Sequence, residues 1–93
     1  MTLELIYFQG CPHAAQAREN VHAALAASAV DVAAREWDRD DAAAPPYVRA
    51  YASPTVLVNG NDVSGSSPSS DAPTCRLAGA PSMDAILRAI EGQ

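Results

Sequence analysis

The chain contains no lysine. All six of its basic residues are arginine, set against eleven Asp and Glu, and the net charge is −5. The arginines are scattered, with no stripe that could neutralise a phosphate backbone, which argues against nucleic-acid binding. Cysteine is scarce too, at two residues in 93. Two thiols do not make the disulfide framework of a small secreted domain. In a reducing compartment they point to catalysis, redox sensing or metal binding. No apolar run approaches the length of a membrane span, about eighteen residues or more. The N-terminus lacks the basic, apolar and small-residue order of an export signal, so the cytoplasm is the expected location. The hydrophobic fraction is 48%, but much of it is alanine, which buries little area per residue. One modest core, and a single domain over residues 1–93, is the expectation.

Strand and helix signals alternate along this chain. Residues 2–8 are apolar apart from Thr2, Glu4 and the Tyr7 hydroxyl, as in a central strand covered on both faces. Gln9-Gly10 breaks that strand, and Pro12 suits the first turn of a helix over 12–28. Ala14, Ala17, Val21, Ala24 and Leu25 follow the three-four spacing of its buried face. Residues 30–37 read as a weaker strand near a sheet edge. Asp38 to Ala44 is turn-like, and Pro45-Pro46 starts a short helix covering 47–51. Ser53-Pro54 stops it, and residues 55–58 form a buried strand. Asn59-Gly60 is a turn signal. Residues 61–73 have the Ser, Gly, Pro and Asp composition of a surface loop, and 74–78 form a fourth-strand candidate. A last helix follows, capped by Ser82, with Met83, Ile86, Leu87 and Ile90 as its apolar stripe.

Two marks carry chemistry: Gly10-Cys11-Pro12-His13-Ala14 and Ser53-Pro54-Thr55-Val56-Leu57-Val58. A cysteine at a helix start meets outward-facing amides and the positive end of the helix dipole, which favour thiolate over thiol. Together with the element order, these marks resemble the thioredoxin fold over nearly the whole chain. The implied architecture is α/β and thioredoxin-like, βαβ-(short α)-ββα, with a mixed four-stranded sheet flanked by helices. The resemblance also implies a cis peptide bond before Pro54, with that proline facing the cysteine. Tyr7-Phe8-Gln9-Gly10-Cys11-Pro12 and the later Thr74-Cys75-Arg76 further resemble small bacterial thioredoxin-like proteins that are often catalogued as alkylmercury lyases. The chain departs from the superfamily's Cys-x-x-Cys, because its motif is Cys11-Pro12-His13-Ala14. Ala14 cannot resolve a mixed disulfide formed at Cys11.

Several readings therefore stand side by side. In the first, Cys11 is the nucleophile of a thiol-dependent redox protein, resolved by an external thiol such as glutathione or by Cys75. His13 tunes the charge beside the sulfur, and Pro12, Ser53, Pro54 and Thr55 shape the substrate site. The partners would be small thiols or protein disulfides, and no cofactor is required. In the second, Cys11 and Cys75 hold a soft metal such as mercury, or an organomercurial, since thiolates select soft metals. Asp71 would then be the acid needed by a lyase. In the third, the chain is a non-catalytic binding module, consistent with the missing second motif cysteine. The plainer alternatives are a Cys11 buried as a small apolar residue and a His13 simply solvated in the first turn. If Cys75 starts a strand at the far end of the sheet, it lies outside disulfide reach of Cys11. His22 reads as surface, Tyr7 and Trp37 as packing, and Asp38, Asp40 and Asp41 as a solvated loop.

Overall fold

The computed structural model describes residues 1–29, 31–63 and 80–92. The elements are β1 (Leu3–Tyr7), α1 (Ala14–Ser28), β2 (Ala34–Asp38), a 3-10 turn (Pro46–Ala50), β3 (Thr55–Val58), β4 (Asn61–Asp62) and α2 (Met83–Glu91). The four strands form one sheet in the order β2-β1-β3-β4. β1 runs parallel to β2 and antiparallel to β3, and β3 runs antiparallel to β4, so the sheet is mixed. The architecture is α/β. Among the described residues no helix is long and apolar enough to cross a membrane.

Strand alternation divides the apolar residues between two faces. Leu3 and Leu5 of β1 join Val56 and Val58 of β3 on one face, beneath Ala17, Val21 and Ala24 of α1 and Ile86 and Ile90 of α2. Ile6 and Leu57 point the other way and pack with Ala44, Val48 and Tyr51. The small side chains of α1 let that helix lie close to the sheet. α2 is shorter and covers its share with isoleucines. Its N-terminus is capped as the sequence predicts, with the Ser82 hydroxyl accepting from the Ala85 amide at 3.1 Å. Asn20 Nδ2 donates to the Pro81 carbonyl at 2.8 Å and ties the middle of α1 to the approach of α2.

The loop read over 61–73 departs from the structure at its start, where a short strand forms at Asn61–Asp62. Asn59 and Gly60 have φ of 51° and 83°. Two consecutive residues with positive φ make the tight turn whose twist returns the chain alongside its own strand. Val58 consequently pairs with Asn61, and Leu57 with Asp62. The candidate strand at 74–78, together with Cys75 and Asp71, lies outside the described residues. The second strand starts at Ala34, later than its apolar pattern suggested, because its first partner is Leu3, where β1 itself starts. The segment after Pro45 is a 3-10 turn in place of an α-helix.

Candidate functional site

The first site lies where β1 ends and β3 begins. Ile6 pairs with Thr55 at the last step of the β1–β3 register, so the chain leaving β1 after Tyr7 and the chain entering β3 from Ser53–Pro54 lie at one end of the sheet. Gly10 follows with φ of 85°, a left-handed conformation open to glycine without steric penalty. Nothing crowds its α-carbon, so the backbone angle alone sets the requirement. The chain then folds back on itself. The Cys11 amide donates to the Phe8 carbonyl at 3.2 Å, and the Ala14 amide donates to the Cys11 carbonyl at 3.2 Å. The Cys11 turn is thus anchored to the end of β1, at the same sheet end as Ser53–Pro54. The Ser53–Pro54 peptide is cis.

The helix begins later than the apolar periodicity suggests. α1 starts at Ala14, and His13 occupies the N-cap without a side-chain capping bond. Cys11 and Pro12 therefore belong to the turn leading into the helix. The reason is the Ala14-to-Cys11 bond, which closes a tight turn before the first α-helical bond, from the Ala17 amide to the His13 carbonyl at 3.1 Å. Cys11 is a free thiol and is enclosed, with 8% of its surface exposed. Pro12 is exposed and His13 is half-buried.

The three residues around the cis bond are closed off from solvent. Ser53 and Thr55 are both 0% exposed, and Pro54 is fully buried with them. The Thr55 hydroxyl donates to the Ala52 carbonyl and is committed to the backbone. The Ser53 hydroxyl is buried without a hydrogen-bond partner among the described residues, a group of the kind that costs free energy when left isolated. Tyr7 is half-buried, and the Arg18 guanidinium lies 5.6 Å from its ring centroid. Arg18 also pairs with Glu36 at 2.9 Å, bridging α1 to β2. His22 is exposed.

The acidic cluster organises its own loop. Asp38 Oδ1 accepts from the Asp40 amide and Asp41 Oδ1 from the Ala43 amide, both at 2.9 Å. These are the local turns that aspartate forms with backbone amides. Among the described residues no three His, Cys, Asp or Glu side chains converge on one point. The soft-metal reading therefore rests on Cys11 with Cys75, whose second member lies outside the described residues.

A second group went unrecognised in the sequence. Glu4 Oε2 accepts from Trp37 Nε1 at 2.8 Å and also from the Tyr47 hydroxyl. Burial of that hydroxyl, and then its bond to the Glu4 carboxylate, push the Tyr47 pKa up from 10.0 to about 12. Trp37 is thus a hydrogen-bond donor as well as a packing residue. These side chains line a cleft of about 480 Å³ together with Met1, Arg35 and Pro45. The signal available in the sequence was the lone charge, Glu4, inside an otherwise apolar strand. Comparison with known protein families, curated proteins and solved structures finds no match to this chain.

Proposed function

We propose that the protein is a thioredoxin-like domain that exchanges disulfides through the single thiol of Cys11, with glutathione or another small thiol as the second reactant. The observation that carries this reading is that the Cys11 turn, which follows β1, and the cis Ser53–Pro54 peptide, which precedes β3, lie at the same end of the sheet. The strand order β2-β1-β3-β4, with β2 parallel and β3 antiparallel to β1, supports the same family resemblance.

The chemistry proceeds in two balanced steps. The Cys11 thiolate attacks one sulfur of a disulfide; a new bond forms to that sulfur, the old sulfur–sulfur bond breaks, and the released thiolate takes a proton from water. A glutathione thiolate then attacks the substrate sulfur now bound to Cys11. Cys11 leaves as thiolate, and a glutathione mixed disulfide departs. Ala14 occupies the position of a resolving cysteine, so no second thiol of the motif completes the cycle, and the second step proposed uses an external thiol. The 8% exposure of Cys11 favours small disulfides over bulky ones, since exchange depends on access as well as on thiolate character.

The test is turnover of a small glutathione mixed disulfide in excess glutathione, comparing wild type with Cys11→Ser and Cys75→Ser. Wild type and Cys75→Ser should turn over alike, and Cys11→Ser should be inactive. Full activity in Cys11→Ser, or none in wild type, overturns the reading. Loss of activity in Cys75→Ser with Cys11 intact would replace it with a two-thiol scheme.

A further inference from the structure

Among the described residues, the sheet face turned away from α1 and α2 is only partly covered. Ile6 and Leu57 lie under Val48 and Tyr51, but the Leu3–Glu4 end opens into the cleft of about 480 Å³. That volume falls within the range of roughly 300–1,000 Å³ typical of small-ligand sites. In the parallel register Glu4 is paired with Arg35, and Ile6 with Trp37. Adjacent strands lie about 4.8 Å apart, and paired residues project to the same side. Glu4, Arg35 and Trp37 thus rise together from the floor, with Pro45 and Tyr47 also lining the space.

A carboxylate and a guanidinium starting this close would ordinarily join, yet among the described residues they do not. The ion pair of Arg18 with Glu36 lies on the opposite face, where Glu36 is paired with Leu5 beneath α1. The Arg35 guanidinium rests 5.7 Å from the Trp37 ring centroid. Glu4 uses Oε2 for both Trp37 and Tyr47, leaving Oε1 as an unoccupied acceptor among the described residues. The cleft therefore presents one anionic acceptor and one cationic donor side by side, each with capacity unused. It also carries apolar surface that the fold does not hide. Met1 and Tyr47, 48% and 45% exposed, are the exposed large hydrophobic residues among those described, and both line this space.

We propose that the cleft binds a small zwitterion, an α-amino acid with an apolar or aromatic side chain. The ligand ammonium donates to Glu4 Oε1, its carboxylate receives hydrogen bonds from Arg35, and its side chain lies against Tyr47 and Trp37. A simple cation would meet Arg35, and a simple anion would meet Glu4. Only a ligand that carries both charged groups close together, as on one α-carbon, satisfies the pair. The site is independent of Cys11 and of the exchange reaction.

Trp37 is the single tryptophan of the chain, so its fluorescence reports this cleft directly. L-Phenylalanine titrated into the full chain should change that fluorescence saturably. Phenethylamine and 3-phenylpropanoate, each carrying one of the two charges, should bind at least about tenfold more weakly, as expected for loss of a charge-assisted hydrogen bond. Glu4→Gln keeps an oxygen acceptor for Trp37 and Tyr47 while removing the charge, and should weaken phenylalanine by about the same factor. Arg35→Gln, at an exposed position, should do likewise and decides the matter if Glu4→Gln fails to fold. The absence of a saturable change with phenylalanine overturns the proposal. So does equal binding of the one-charge analogues, or unweakened binding in Arg35→Gln.

Discussion

The two faces of the sheet are built on different principles. One is roofed by α1 and α2, which pack Ala17, Val21, Ala24, Ile86 and Ile90 onto Leu3, Leu5, Val56 and Val58. The other is roofed by a 3-10 turn and its flanking loop. There a carboxylate, an indole N–H and a phenol hydroxyl interact beside Ile6 and Leu57. A regular helix satisfies its own backbone and can offer a dry surface. A short irregular segment cannot cover the same length of strand, so polar groups persist where its cover ends. Stability should concentrate on the first face, and chemical responsiveness on the second.

The sharpest test of that contrast is a pair of truncations. Leu5→Ala, at 1% exposure between strand and helices, should lower unfolding free energy by about 3 kcal/mol. Val48→Ala, at 0% exposure on the other face, should lower it by about 2 kcal/mol, for two methyl groups and a small cavity. Chemical denaturation of both variants measures the difference; a larger loss at Val48 than at Leu5 would reverse the assignment. A smaller effect belongs to the helical roof itself. Ser82→Ala removes the acceptor for the Ala85 amide and should cost about 1 kcal/mol in the same assay.

The last test concerns pH alone. Tyr47 has a pKa raised from 10.0 to about 12, so the folded state holds its proton more tightly than the unfolded chain. Its contribution is fully present below pH 10 and is lost as pH rises towards 12. Tyr47→Phe should remove that part of the alkaline loss of stability, seen as a flatter profile of denaturation midpoint against pH. An unchanged profile would show that the second face is no more responsive than the first.

Much of the frame was legible from residues. The apolar strands, the Ser82 cap and the break at Gly10 each follow from local chemistry that tertiary contacts do not override. The short β4 was hidden because Asn61 and Asp62 have little strand preference of their own. They pair only because the turn before them leaves no other course. The start of α1 was misplaced by two residues because Pro12 suits both a helix entry and the turn that precedes it. Glu4 was hardest to read. Its partners Trp37 and Tyr47 lie 33 and 43 positions further along, and no spacing rule connects a strand residue to positions so remote. Cys11 was legible as a candidate, whereas its enclosure depends on how the turn settles against the sheet.

Among the described residues β2 forms one border of the sheet and β4 the other. The first carries Arg35, Glu36 and Asp38 within five residues, and the second is two residues long. Unpaired strand borders are where molecules recruit one another into fibres, and charge and brevity are the usual defences. A strand from a neighbouring molecule that approached β2 would have to strip water from closely spaced charges, and at β4 it would find almost nothing to grip. Concentrated solutions of this protein should accordingly resist ordered aggregation along both borders.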